Sequence, residues 1–410
     1  MKVLMLGRIG LLDARGGDRI QVENTAAELR KLGVEVDIRT DMKFKPWEYD
    51  LIHVFQLDWV PETYFYAKKA KKFKVPLVLS PIHHDVREVK KFDDEFAFDF
   101  RRISKFLFRD QFRRDTFKNL YRCIFEPRMI KPTIYSVFHG FKRMQKETLE
   151  MADAVLVQTV KEAEDLKRTF GVDFEWYKIL NGVGKAFIDP KPFKNPFDFE
   201  NYIMCVGRIE PRKNQLNIIK AVEKFREESG EDVKLVLIGK ESPTKHFEYN
   251  FLINKLLKKH KWIYRIDNNI NYADLPSYYH FAKVCVSASW FETTGLTSLE
   301  ALFCGANTVA SGLRAKEYLG GYASFCEPDN VDSIKEAIKR EYYSPRPVLD
   351  EKVREEYTWK NAAEKTLDVY KEVLMRKSDN VLSGKNKSGK SDSEKPSRKK
   401  KVLIRNNYRI

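Results

Sequence analysis

Two α/β domains, each built on a doubly wound parallel sheet and meeting at a cleft, are predicted by three features of the 410-residue sequence. Short apolar runs alternate with helix-period segments at the spacing of βαβ units. The series occurs twice, divided by a stretch that holds Pro190, Pro192 and Pro196. The length, nearly three times a domain of about 150 residues, leaves room for two domains and an added segment.

The first strand is expected over residues 2–6 and ends at Gly7. A loop with Gly10, Gly16 and Gly17 leads into a helix over 18–32, which Gly33 stops. Strands follow at 34–39, 51–55 and 77–79, with a helix over 64–73 between the last two. The pattern resumes at 154–157 and 178–180 and closes on Asn181-Gly182. The second series has strands at 202–206, 233–238, 262–266, 284–287 and 308–310. The expected boundaries are a first domain over 1–190, a second over 197–349, a closing amphipathic helix over 350–376 and a disordered basic tail over 377–410. In such folds ligands bind at the carboxyl ends of the strands, so the active site is expected between the domains.

The formal charge of +16 is concentrated in two segments. Residues 101–146 carry 13 Lys and Arg against Asp110, Asp115 and Glu126, net +10, and residues 377–410 carry net +8, which leaves −2 for the remainder. The first segment is an insertion between the strands at 77–79 and 154–157. It interleaves its cations with Phe106, Phe108, Phe112, Phe117, Tyr121, Phe125, Tyr135, Phe138 and Phe141. Phe117, Leu120, Tyr121 and Ile124 share one helix face, a composition suited to an anionic bilayer surface. The alternative is that the aromatics pack inward and the cations face water. The Arg398-Lys399-Lys400-Lys401 run with Val402-Leu403-Ile404 is a second candidate for anionic headgroups, or a solvated tail. No RNP motif, helix-turn-helix pair or zinc finger occurs, so a nucleic-acid partner is not expected.

No apolar run approaches the roughly 20 residues of a bilayer span, and residues 2–6 are too short for a signal peptide. A cytoplasmic chain is expected, with a peripheral place at the inner membrane face as the basic segments suggest. Cys123, Cys205, Cys285, Cys304 and Cys326 are scattered and form no C-x-x-C pair, which points to reduced, mostly core thiols.

Chemistry concentrates in the second series. Gly207-Arg208 follows a strand and Lys213 opens the next helix, so both cations can converge on an anion there. Ser289 to Ala301 follows another strand and opens a helix, which aims the amides of Thr294, Gly295 and Leu296 at a phosphate. Glu300, about one and a half turns into that helix, is placed to accept from ribose hydroxyls. Glu292 on the loop would face a sugar beyond a diphosphate. The plain alternative is a capping threonine with two solvated glutamates. In the first loop Gly16 and Gly17 allow close approach of backbone to a phosphate or sugar, or simply make a flexible turn. His83-His84-Asp85 lacks further convergent ligands for a metal, and an imidazole that hydrogen-bonds a sugar is preferred.

With the Glu292/Glu300 pair, Gly207-Arg208 and Lys213 in place, residues 1–375 resemble the retaining GT-B glycosyltransferases of the glycosyl transferase group 1 family (family 4). The resemblance implies two Rossmann-like domains and a nucleotide-diphosphate sugar as co-substrate, with no metal and no other cofactor. It implies Arg208 and Lys213 on the diphosphate, Glu300 on the ribose and Glu292 on the donor sugar. It further matches Gly16-Gly17, His84-Asp85, Asn181-Gly182-Val183 and Gly239, the last bordering the base. His84 is chosen over His83 because it adjoins Asp85, as in the family pattern. Two departures stand out: 311–317 reads SGLRAKE where many relatives carry a glycine pair, and Asp267-Asn268-Asn269-Ile270 lacks the usual glycine.

The expected activity is retaining, metal-independent hexosyl transfer to a glycan or lipid-linked acceptor, in cell-surface polysaccharide or glycolipid synthesis. The same fold also serves sugar-nucleotide epimerases and phosphorylases. A non-enzymatic nucleotide-sugar sensor or nucleic-acid binder is the remaining alternative.

Overall fold

The computed structural model describes residues 1–12, 16–95, 100–124, 126–242, 246–267 and 270–386. The basic stretch 398–404, Phe125, Asn268 and Asn269 lie outside the described residues.

The first domain contains β1 (Lys2–Leu6), α1 (Gly17–Lys31), β2 (Glu35–Arg39), β3 (Leu51–Phe55), α2 (Val60–Lys72) and β4 (Leu77–Ser80). The insertion supplies α3 (Val86–Glu95), α4 (Phe100–Leu107), α5 (Gln111–Arg122), α6 (Ile130–His139) and α7 (Phe141–Met151). The sheet then resumes with β5 (Ala154–Val157), α8 (Val160–Phe170) and β6 (Trp176–Lys178), and α9 (Lys185–Ile188) leads to the linker. All pairings are parallel, in the order β2-β1-β3-β4-β5-β6. The central strands read LIHVF, LVLS and AVLV and are buried throughout, as a sheet covered on both faces requires.

The second domain runs through β7 (Tyr202–Val206), α10 (Gln215–Ser229), β8 (Leu235–Ile238), α11 (Phe247–Lys259), β9 (Ile263–Ile266), α12 (Leu275–Phe281) and β10 (Ala282–Ser287). It continues with α13 (Leu296–Phe303), β11 (Asn307–Ser311), α14 (Leu313–Leu319), β12 (Ser324–Cys326) and α15 (Val331–Tyr343). Its parallel order is β12-β11-β10-β7-β8-β9, the arrangement of two mononucleotide-binding halves.

Three elements differ from the sequence-based expectation. The strand expected over 178–180 sits earlier, at Trp176–Lys178, paired with β5. The edge strand β12 has no counterpart in the reading, because its Ser-Phe-Cys run is too short for an apolar signature. The closing segment is two helices, α16 (Glu351–Glu356) and α17 (Trp359–Asn386), so helix continues past residue 376 into the segment expected as tail. Helix α17 crosses back to the first domain. Its Ala363, Tyr370 and Val373 complete the core formed by Val22, Ala26 and Leu29 of α1 with β1. The Tyr370 hydroxyl lies 2.6 Å from His53 Nδ1 on β3. Burial holds that imidazole down at about 3, so it is a neutral core group. No helix of the described residues is long and apolar enough to cross a membrane.

Candidate active site

The strand order reverses between β1 and β3 in the first sheet and between β7 and β10 in the second. Loops leaving the carboxyl ends of strands at such points part and open a crevice. From the first sheet these loops carry Asp58 after β3 and His83-His84 after β4; from the second they carry Arg208, Arg212 and Lys213 after β7 and Glu292 after β10. The two sets meet: the His84 and Phe291 rings are 5.0 Å apart, and Phe92 of α3 lies 5.8 Å from Trp290.

On the first-domain side Asp58 organises both histidines. His83 Nδ1 is 2.5 Å from one carboxylate oxygen, while the His84 amide and Nδ1 lie 3.0 and 3.1 Å from the other. Burial would raise the Asp58 carboxyl, but the two imidazoles and their hydrogen bonds hold it well below the usual carboxylate range. An ionised Asp58 fixes the imidazole orientation of His84 and keeps its Nδ1 protonated. His83 is buried, and Phe170 packs 5.7 Å from its ring. His84 is the less buried of the two and faces Phe291.

On the second-domain side Lys213 pairs directly with Glu292, and Arg212 approaches the same carboxylate oxygen at 3.3 Å. Burial opposes ionisation of Glu292, yet Lys213 and Arg212 together hold its carboxyl far below the ordinary value. Arg212 also bonds Glu210 at 3.1 Å and covers the Phe291 ring. Arg208 stands apart from this cluster, 64% exposed and 3.5 Å from Glu210.

Gly207 and Gly239 adopt φ of +148° and +153°, and a Cβ on Gly239 would fall 2.0 Å from the Gly207 carbonyl oxygen. The loops after β7 and β8 can run this close only with glycine. Gly295 caps α13 in the left-handed region at φ +62°, after the buried Thr294. The helix begins at Leu296 without a side-chain cap, and of its first amides that of Ser298 donates to the Gly295 carbonyl at 2.9 Å.

Glu300 sits inside α13, buried, and accepts from the Tyr279 hydroxyl at 3.0 Å and the Tyr272 hydroxyl at 3.5 Å. Burial pushes it up to about 7 in spite of these two donors. Gly16 is extended at the start of α1, and open space lies beside Gly17. Asn181 is turned inward: its amide lies 3.4 Å from Gln21, its carbonyl accepts from Tyr318 at 2.8 Å, and it borders a cavity of about 10 Å³. That is the volume of about one water.

Several residues of these clusters escaped the reading of the sequence, Asp58, Arg212 and Tyr279 among them. Asp58 carries a weak signal, an acid directly after the apolar run of β3, and Arg212 adjoins Lys213. Tyr279 carries none, since its pairing with Glu300 depends on the packing of α12 against α13.

The SGLRAKE departure has a structural role at the domain seam. Arg314, buried, holds Asp165 at 2.8 Å and bonds the His83 carbonyl oxygen. Glu317 accepts from the Val160 and Lys161 amides at 2.8 and 3.0 Å, so a carboxylate of the second domain caps α8 of the first.

Residues 188–357 match the family described as Glycosyl transferases group 1. Over 184 residues the chain is 27% identical to the O-antigen chain mannosyltransferase B of Escherichia coli, covering 42% of this chain and 46% of that protein. The chain spans about half the length of the curated relatives it matches first. Sucrose-phosphate synthase from Thermosynechococcus elongatus superposes with a TM-score of 0.66 at 17% identity, over 92% of this chain and 100% of that one. Anabaena Alr3699/HepE, solved with UDP and glucose, gives 0.57 at 14% identity, over 93% and 100%. Residues 188–357 are thus similar to the group 1 glycosyl transferases, and the two parallel sheets form the GT-B fold.

Proposed function

We propose that the chain is a retaining glycosyltransferase that moves a hexosyl group from a nucleoside-diphosphate sugar to a glycan or lipid-linked acceptor. The observation that carries this reading is the pair of glutamates around the start of α13. Glu292 is held ionised by Lys213 and Arg212, and Glu300 is buried behind the helix start. In this reading the donor diphosphate lies against Lys213, Arg208 and the amides of Thr294, Gly295 and Leu296. Glu300 accepts from the ribose, and Gly239 borders the base. The sugar lies between Glu292 and His84, with the Gly16-Gly17 turn beside it.

During transfer the bond between C1 and the phosphate oxygen breaks, and its electron pair goes to the diphosphate. The acceptor oxygen bonds C1 on the same face, and its proton passes to the departing phosphate oxygen. Positive charge at Lys213, Arg212 and Arg208 stabilises the leaving group, an effect of several kcal/mol in a water-poor cleft. The acceptor enters from the first domain, whose basic insertion meets an anionic membrane surface.

A thermal-shift screen against UDP, GDP, ADP, CMP and their sugar conjugates tests the reading, since a ligand that binds the native state raises apparent stability. UDP and UDP-glucose stand first because HepE was solved with UDP and glucose. Stabilisation by one diphosphate, followed by its release from the matching sugar conjugate with acceptor present, is the expected result. No shift with any of them would remove the donor assignment.

A further inference from the structure

The insertion carries an open cavity of about 820 Å³ between α5, α6 and the start of α7. Phe170, at the end of α8, also lines it. Among the described residues none of the second domain lines it, which sets it apart from the interdomain crevice. Its walls are apolar, formed by Phe108, Phe112, Phe117, Leu120, Val137 and Phe141. The volume lies toward the upper end of the roughly 300–1,000 Å³ typical of ligand pockets. Arg113, Lys142, Arg143 and Lys146 also border it, against Asp110 as the single acid among the described residues. The Asp110 carboxylate already accepts from the Arg113 amide at 3.0 Å as the cap of α5. Arg143 shares Glu147 at 2.9 Å. Among the described residues no ion pair involves Arg113 or Lys142, and the Lys142 ammonium stands 5.3 Å over the Phe112 ring.

The same segment also leaves apolar side chains exposed. Phe106 is 90% and Phe138 86% exposed, on α4 and α6, and Ile124 beyond α5 is 71% exposed. Apolar side chains left in water in such number on one short segment mark a surface that meets something apolar.

We propose that the cavity receives an acyl chain of an anionic phospholipid, with the headgroup phosphate against Arg113 and Lys142. The occupant follows from the pairing of a hydrocarbon-like interior with a cationic rim. A second copy of the chain would bring the same positive segment and be repelled. This deepens the reading of the insertion as a membrane-facing surface, on which it rests: the lipid is bound one molecule at a time, beyond surface adsorption. The inner end of the cavity also borders the donor side of the first domain, because Phe170 lies 6.3 Å from Phe112 and 5.7 Å from His83.

The test uses the full chain and dioctanoyl phosphatidylglycerol below its micellar concentration, with dioctanoyl phosphatidylcholine as the neutral control, read by native mass spectrometry and by titration. One phosphatidylglycerol per chain is expected, with the phosphatidylcholine complex clearly weaker. Val137→Trp, at a half-exposed wall position, should narrow the cavity and weaken binding while the melting transition and any UDP-induced shift stay as in the wild type. Arg113→Glu with Lys142→Glu should weaken the phosphatidylglycerol complex by about tenfold or more, since each cation near an anionic headgroup is worth about a factor of five. Equal lipid binding by Val137→Trp and wild type, or no monomeric lipid bound at all, overturns the cavity. The surface reading then stands or falls on flotation with phosphatidylglycerol vesicles. Salt-sensitive binding of single-stranded RNA in place of lipid would also overturn it. Monomeric lipid bound without vesicle flotation supports the cavity and removes only the surface reading.

Discussion

Glu292 and Glu300 are the same residue type, eight positions apart, and both are withdrawn from water, yet their carboxyls are driven in opposite directions. The Glu292 side chain is 15% exposed and lies against Lys213 and Arg212, which outweigh its burial and keep it ionised. Among the described residues Glu300 meets only the neutral hydroxyls of Tyr279 and Tyr272, and burial takes it up to about 7. Burial is shared; the charge of the partner decides the outcome. The difference suits two tasks, a permanent anion facing a sugar with growing positive charge and a carboxylate that takes ribose hydroxyls once it ionises.

Removing the cation is the most direct way to break the contrast. Lys213→Ala should lower kcat/KM by about 10²–10³, the loss typical of one leaving-group stabiliser in a dry site. It should also destabilise the fold by roughly 2–3 kcal/mol, somewhat less than the loss of a whole buried partner, because Arg212 still holds Glu292. Steady-state kinetics with urea unfolding reads both effects, and unchanged turnover would sink the diphosphate assignment. Glu292→Gln should act next most strongly. Turnover should fall by about one to two orders of magnitude while nucleoside diphosphate affinity stays within about threefold, as for a group used mainly in the transition state. Calorimetric titration checks the split, and a loss confined to nucleotide affinity would contradict it.

The sheets and the positions of the two glutamates were legible in the sequence; the opposite drift of their carboxyls was not, and the unread part has a definite physical origin. The apolar runs of β1, β3, β4 and β5 announced a buried parallel sheet, because central strands covered on both faces leave no room for alternation. The positions of Glu292 and Glu300 around a helix start followed from local order as well. That Lys213 reaches Glu292 did not, since 79 residues separate them and only the adjacency of β7 and β10 brings their loops together. The tyrosines at Glu300 are hidden for the same reason. The SGLRAKE stretch reads as a departure in sequence and becomes intelligible once α14 is seen against α8, where Arg314 and Glu317 hold the two domains together.

A neutral Glu300 tests the other half of the comparison. Glu300→Gln should weaken nucleoside diphosphate binding by about 1 kcal/mol, the worth of one hydrogen bond. In the wild type the affinity should rise from pH 6 to pH 8 as the carboxyl ionises, and in the variant that rise should vanish. Stability carries the opposite sign. Between about pH 4.5 and 7 the folded state keeps a proton that the unfolded state has lost, so wild-type stability falls as pH increases through that window, by up to about 3 kcal/mol. Glu300→Gln should remove this fall, which urea titrations at pH 5 and pH 8 measure. A parallel decline in both proteins would show that another group is responsible.

The smallest change sharpens the contrast without touching either glutamate. The Tyr279 hydroxyl donates to Glu300 at 3.0 Å and so favours its ionised form. Tyr279→Phe leaves the ring in its packing and removes that donor, with Tyr272 remaining at 3.5 Å. The Glu300 carboxyl should then titrate higher still, by less than about one unit, since hydrogen bonds to the charged form are what opposed burial there. The midpoint of the pH dependence of nucleotide affinity should move up by the same amount, while turnover at saturating donor above pH 8 stays close to wild type. Glu292 has no part in that network, so the Lys213→Ala phenotype should be the same with Phe at 279 as with Tyr. A midpoint that does not move would mean that burial alone sets the Glu300 carboxyl, and the tyrosine would be left with a packing role only.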